Sequence, residues 1–213
     1  MNTTVPPLRS NACRTWPSTF PARPMNGGPL PEAPPKLGGR WWYEPKYNGW
    51  RVTVHTPTAS CFNRHGQPLS ILDDFTSALE RLRLSCPFEW LDCEGLERRH
   101  GIGRGTLMVL DTIDDAGKFY DERQRLLDDW ETNQSGPERL AIGVKPEADS
   151  LYRVPYYSTE LAQHAWYRMP QLNREWGAVF YEGLVAKRAS SLYPRQLTDS
   201  KREFTDWVKH RFV

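Results

Sequence analysis

The chain has 213 residues, enough for one large domain or at most two small ones, and one catalytic domain is the simpler expectation. Hydrophobic residues make up 38% and aromatic residues 12%, which suits a globular core, and no apolar run has the length of a membrane-spanning helix, so no membrane partner is expected. With a net charge of only +2, affinity for a phosphate backbone cannot come from bulk charge and has to come from clustering among the 28 lysines and arginines.

The first forty residues stand apart. They hold half of the chain's 18 prolines, have no acidic residue before Glu32, and scatter Arg9, Arg14 and Arg23 among serines and threonines. A basic, acid-poor composition is shared with organelle transit peptides, but so many prolines oppose the amphipathic helix such signals use. We expect a disordered arm over 1–19 and a folded domain over 20–213. Cys13, Cys61, Cys86 and Cys93 have neither Cys-x-x-Cys pairing nor histidines at zinc spacing, so neither a disulfide framework nor a structural metal is expected. A reducing, cytoplasmic location follows as the default.

Beyond Gly39 the periodicity is mostly that of strands. Trp41 to Glu44, Trp50 to Thr56, Ala59 to Asn63, Phe88 to Leu96, Thr106 to Asp111, Ala178 to Phe180, Gly183 to Arg188 and Asp206 to Arg211 are short runs rich in β-branched and aromatic residues. Helical spacing occurs in Asp73 to Leu84, where Phe75, Leu79 and Leu82 share a face, in Asp121 to Trp130, and in Thr159 to Tyr167. Strands and helices mixed in this way predict an α+β domain of antiparallel sheets flanked by helices, with site residues on strand edges and turns.

Four motifs then stand in order: Glu44-Pro45-Lys46-Tyr47-Asn48-Gly49-Trp50-Arg51, Leu91-Asp92-Cys93-Glu94-Gly95, Glu182-Gly183-Leu184-Val185-Ala186-Lys187 and Trp207-Val208-Lys209-His210-Arg211. A lysine amine can attack the α-phosphorus of a nucleoside triphosphate and form a phosphoramidate, provided it is unprotonated when it attacks. Cationic neighbours favour the neutral amine, which gives Lys187, Lys209, Arg211 and a divalent metal a purpose around Lys46. Gly49 gives the turn a residue that can take a positive φ and lets the backbone approach a nucleotide, and Arg51 is placed to reach a phosphate. Lys209 and Arg211 alternate on the last strand and project to one face.

This ordered set resembles the covalent nucleotidyltransferases, the superfamily of ATP-dependent DNA ligases, RNA ligases and mRNA capping enzymes, with the adenylation domain of ATP-dependent DNA ligases as the closest local match. The resemblance runs from about Pro24 to the C-terminus and implies an ATP-grasp-like ligase adenylation fold. It implies that Lys46 is the nucleophile that becomes lysyl-AMP, and that Glu44 reads the adenine amino group. Glu94 then contacts the ribose or a metal, Glu182 holds a metal, and Lys187, Lys209 and Arg211 contact phosphate. Asn48 occupies the position of an aspartate that orients the site, keeping its shape and losing its charge. Cys61-Phe62-Asn63-Arg64-His65-Gly66 is similar to a ligase segment whose arginine holds the 5′-phosphate of a nick; a surface hairpin arginine is an equal alternative for Arg64. Cys93 stands where the pattern has glycine, which suggests looser packing at the sugar. Leu110 stands where a stacking aromatic is usual, so another ring is expected to supply stacking.

By the same resemblance the cofactors are ATP and Mg²⁺ or Mn²⁺, and the partner is a nicked duplex, DNA rather than RNA, bound by a monomer. An RNA ligase and a catalytically weak nucleic-acid end-binding protein remain open. The arginine-rich stretch 98–104 and Lys187-Arg188 are candidate backbone contacts or solvated loops. Because the sequence stops two residues past Arg211, no oligonucleotide-binding-fold domain is expected, and a partner protein or accessory element is expected to orient the pyrophosphate leaving group.

Overall fold

Alternation of large apolar and charged side chains along Trp41-Trp42-Tyr43-Glu44-Pro45-Lys46-Tyr47 gives one strand two different faces, and the rest of the fold is arranged around them. The structure, a computed structural model, describes residues 20–21, 23–28, 39–70, 74–96, 101–133, 136–196 and 203–212. The expected arm over 1–19 lies outside the described residues. In chain order the strands are β1 (Phe20–Pro21), β2 (Arg23–Gly28), β3 (Trp41–Tyr47), β4 (Trp50–His55), β5 (Ser60–Phe62), β6 (Trp90–Leu96), β7 (Thr106–Thr112), β8 (Leu151–Arg153), β9 (Tyr181–Arg188), β10 (Arg195–Gln196) and β11 (Glu203–Arg211). The helices are α1 (Thr76–Ser85), α2 (Tyr120–Asn133) and α3 (Thr159–Trp176).

The domain is α+β. One sheet has the order β2-β11-β9-β3 and a second the order β5-β4-β6-β7-β8, with β1 and β10 forming a small pair of their own. Pairing is antiparallel as expected except at two places, where β2 runs parallel to β11 and β8 parallel to β7. Neither β2 nor β8 was predicted, because Arg-Pro-Met-Asn-Gly-Gly and Leu-Tyr-Arg are too polar or too short to show a strand period.

Each sheet has one face covered by helix. Against the first, Trp41, Tyr43 and Tyr47 of β3 and Leu184 and Ala186 of β9 pack with Ala162, Ala165, Met169 and Leu172 of α3. Against the second, Val52, Val54, Leu91, Cys93 and Val109 pack with Leu79 and Leu82 of α1 and Leu127 and Trp130 of α2. Both front faces are left to line a cavity. Pro45 is tolerated in β3 because β3 is an edge strand: the Tyr43 N–H already points away from β9, to the Tyr157 carbonyl at 3.0 Å, so the donor missing two residues on is an outward one.

Two element predictions need correction. The helix predicted to stop at Tyr167 continues through Pro170 to Trp176 and ends on Gly177 in the left-handed conformation, φ 65. Its buried stripe outweighs the one backbone bond that Pro170 removes. Ala178 to Phe180 is not a strand, because these residues serve the helix end: Ala178 donates to the Asn173 carbonyl, and the Asn173 side-chain oxygen accepts from Phe180 and Tyr181.

Candidate active site

Strand register decides which motif residues meet. In the first sheet Glu44 lies beside Val185, Lys46 beside Gly183, Lys209 beside Val185, and both Trp42 and Trp207 beside Lys187. Side chains paired in this way share a face, so three motifs distant in sequence present Glu44, Lys46, Lys187, Lys209 and Arg211 together. In the second sheet Arg51 lies beside Glu94. The two front faces enclose a cavity of about 390 Å³, lined by seven lysines and arginines but only two carboxylates, Glu44 and Glu94. Its size is that of a small-molecule site and its charge selects an anion.

Two β-bulges add residues that alternation alone would have turned away. Lys46 pairs with Gly183 and Tyr47 with Tyr181, so Glu182 is the extra residue, and its carboxylate forms an ion pair with Lys46. Gly183 has φ +148, and a Cβ there would stand 1.9 Å from the His210 carbonyl oxygen, so glycine is required. Asp92 pairs with Asp111 and Cys93 with Val109, leaving Leu110 as the extra residue, which lines the cavity.

Glu44 and Lys187 are both 2% exposed at the cavity wall. The Lys187 ammonium donates to both Glu44 oxygens, at 2.8 and 2.7 Å, and the Tyr120 hydroxyl donates to Glu44 Oε1 at 2.6 Å. Burial pushes the Glu44 carboxyl up, and the Lys187 ammonium works against that rise. The Lys187 ammonium also lies 4.2 Å from the centre of the Trp207 ring and 5.1 Å from that of Tyr120. The resemblance implies a phosphate contact for Lys187; the structure pairs it with Glu44 at the cavity wall.

Arg51 reaches the cavity while forked onto Asp92, at 2.9 and 2.6 Å, and Tyr193 donates to the same carboxylate at 3.0 Å. Arg64 lies on the exposed turn after β5, hydrogen-bonded to His65 at 2.9 Å, at the edge of the cavity. In the 98–104 stretch, 98–100 lie outside the described residues and Arg104 pairs with Asp74 at 2.6 Å.

Gly49 does not use the positive φ open to it. It is needed for close approach: a Cβ would meet the Gly95 carbonyl at 2.6 Å and Glu94 Cγ at 2.8 Å, and the Gly49 N–H donates to Glu94 Oε1 at 3.1 Å. Cys93 faces the core behind the second sheet and does not line the cavity; burial raises its thiol well above the ordinary value.

Asn48 is not among the residues that line the cavity. Its side-chain amide donates to the Val179 carbonyl at 2.9 Å and its backbone N–H to Phe180 at 2.9 Å, which ties the lysine-bearing turn to the segment after α3. An aspartate cannot make the first bond, since an ionised carboxylate only accepts. Asn48→Asp is therefore expected to destabilise the fold by about 1–2 kcal/mol in urea denaturation, although it restores the residue of the resembled pattern.

Glu94 gives a pH dependence. Burial pushes its carboxyl up from 4.5 to about 7, with Lys46 and then Arg51 opposing the rise. A carboxyl that holds its proton in the fold up to about pH 7 but only to 4.5 when unfolded adds stability at low pH, and loses it as pH rises through that window. Urea denaturation at pH 5 and pH 8 checks this: Glu94→Gln is expected to lose less stability across the interval than the natural chain.

Sequence comparison finds neither a family model nor a curated protein that matches the chain. Solved structures do match its fold. The ligase domain of M. tuberculosis LigD superposes with a TM-score of 0.59 at 18% identity, covering 91% of this chain and 59% of that one. A mycobacterial DNA ligase D complexed with ATP gives 0.57 at 18%, over 90% and 60%. Chlorella virus DNA ligase-adenylate gives 0.52 at 14%, over 89% and 69%. The chain thus has the fold of a ligase nucleotidyltransferase domain, as its motifs implied, and spans about three fifths of the mycobacterial ligase chains.

Arg23, Tyr120, Tyr193 and Trp207 were not predicted as site residues, and Asp92, whose alternation with Glu94 suggests a metal ligand or a solvated pair, instead holds Arg51. Trp207 stands inside a quoted motif, where alternation with Lys209 is a usable signal. Tyr120 and Tyr193 come from a helix start and a loop and carry no such signal.

Proposed function

We propose that the chain is an ATP-dependent polynucleotide ligase that seals 5′-phosphate/3′-hydroxyl nicks in DNA through a lysyl-AMP at Lys46. The observation that carries this reading is the cationic cavity in which strand register brings Lys46, Lys187, Lys209 and Arg211 together beside Glu44. A buried acceptor beside a buried donor, Glu44 and Lys187, complements the amino group and ring nitrogen of an adenine edge. Leu110 and Val185, one from each sheet, supply apolar contacts for the base, with Trp207 nearby.

Lys46 Nζ forms a bond to the α-phosphorus of ATP and loses a proton, while the bond from that phosphorus to pyrophosphate breaks. AMP then passes to a 5′-phosphate held at Arg64, and a 3′-hydroxyl displaces it to join the strands. Lys209, Arg211 and Arg51 face the phosphates, and Asn48 and Glu94 hold the turn that carries Lys46. Among the described residues no three His, Cys, Asp or Glu side chains form a metal cluster. Mg²⁺ or Mn²⁺ would therefore take Glu182 or Glu94 together with phosphate oxygens and water, a sparse protein set that suits Mg²⁺, and when bound it would neutralise phosphate charge. No helix among the described residues is long and apolar enough to cross a membrane.

The test is to incubate the protein with ATP, Mg²⁺ and a 5′-labelled nicked DNA duplex, beside the same nick with an RNA 3′-hydroxyl strand. Sealed DNA supports the proposal. Sealing only of the RNA-containing nick assigns an RNA ligase, and binding of nicked duplex without sealing or lysyl-AMP assigns an end-binding protein.

A further inference from the structure

Arg23 belongs to the proline-rich segment that the sequence sets apart, yet it lines the same cavity as Lys46, Lys209 and Arg211. It gets there because β2 adds in parallel to β11 at the sheet edge, with Arg23 beside Glu203 and Pro24 beside Phe204. Four other cations of the cavity already have a carboxylate partner: Arg51 has Asp92, Lys187 has Glu44, and Lys46 and Arg211 share Glu182, the last at 3.6 Å. Among the described residues Arg23 and Lys209, like Arg64 on the exposed turn after β5, have no ion pair. Burial and then the Arg211 charge lower the Lys209 ammonium, with Lys46 and Arg23 adding to the repulsion and Glu203 opposing it. Such crowding of like charge costs stability unless an anion relieves it.

We propose that Arg23, with Lys209 and Arg211, forms the binding site for the diphosphate end of the nucleoside triphosphate, and so for pyrophosphate. The inference rests on the function proposed above. With the base at Glu44 and Lys187 and the α-phosphorus at Lys46, the β- and γ-phosphates need a further cationic wall, and β2 and β11 provide one. When Lys46 attacks, the electron pair of the breaking phosphorus–oxygen bond stays on pyrophosphate, whose charge grows as it leaves; a guanidinium and an ammonium fixed beside it stabilise that growth.

Calorimetric titration of inorganic pyrophosphate and, separately, of AMP into the natural chain, Arg23→Gln and Arg23→Lys tests the assignment, with Arg168→Gln on α3 as a remote control. The natural chain and the control are expected to bind pyrophosphate alike. Arg23→Gln is expected to weaken it about ten-fold or more, Arg23→Lys less, and AMP affinity is expected to stay within about two-fold throughout. Absence of pyrophosphate binding to the natural chain, unchanged binding by Arg23→Gln, or an equal loss for AMP overturns the proposal. The ligase reading fails separately: if pyrophosphate behaves as expected but ATP leaves no AMP on Lys46, the diphosphate site stands and the covalent chemistry does not.

Discussion

Replacing Glu44 with alanine is expected to destabilise the protein by about 3–5 kcal/mol, measured as the urea midpoint at constant m-value. The ammonium of Lys187 is as buried as the carboxylate, and its partner for ion pairing is Glu44. Removing the carboxylate leaves an uncompensated charge between the rings of Trp207 and Tyr120, where cation–π attraction of about 1–2 kcal/mol does not replace it. The double variant Glu44→Leu/Lys187→Met should recover most of that loss, because a buried ion pair is close to neutral against apolar side chains of similar volume. It should not recover nucleotide binding, since the donor and acceptor proposed to read the base are then both gone. If the double variant bound ATP as the natural chain does, the pair would be structural only.

Lys46→Arg is expected to abolish ATP-dependent sealing, by at least about a thousand-fold, while leaving the fold intact. Arginine keeps a cation to face Glu182, but a guanidinium stays protonated and cannot act as the nucleophile. The variant should still join a nick supplied with AMP already on its 5′-phosphate, because that last displacement uses the 3′-hydroxyl and not the lysine. Loss of both activities would place Lys46 in the geometry of the site rather than in the covalent step.

How far the sequence spoke for itself can be read off individual residues. Lys209 and Arg211, two apart on a strand, project to one face as alternation requires, and Lys46 and Glu44 do the same on β3. Alternation fails where a strand carries an extra residue: through bulges Glu182 reaches Lys46 and Leu110 reaches the cavity, and bulges depend on pairing partners far away in sequence. Glycine was legible as necessary at 49 but not for its reason, which is the nearness of Gly95 and Glu94 rather than a special φ, and at 183 the need was not legible at all. Burial was the least legible quantity. Nothing local distinguishes a phosphate-facing Lys187 from one sealed against Glu44, because the sealing comes from Tyr120 on α2 and Trp207 on β11. The same limit explains Arg23, whose place in the site follows from an edge pairing between the two ends of the chain.

Every proposed step depends on a covalent bond between Lys46 and AMP. Intact-mass measurement after incubation of the purified chain with ATP and Mg²⁺, followed by peptide mapping, tests it most directly. A gain of one AMP is expected, located on Lys46, removed by added pyrophosphate and absent from Lys46→Arg. No gain, even from protein first stripped with pyrophosphate, or an AMP attached elsewhere, would contradict it.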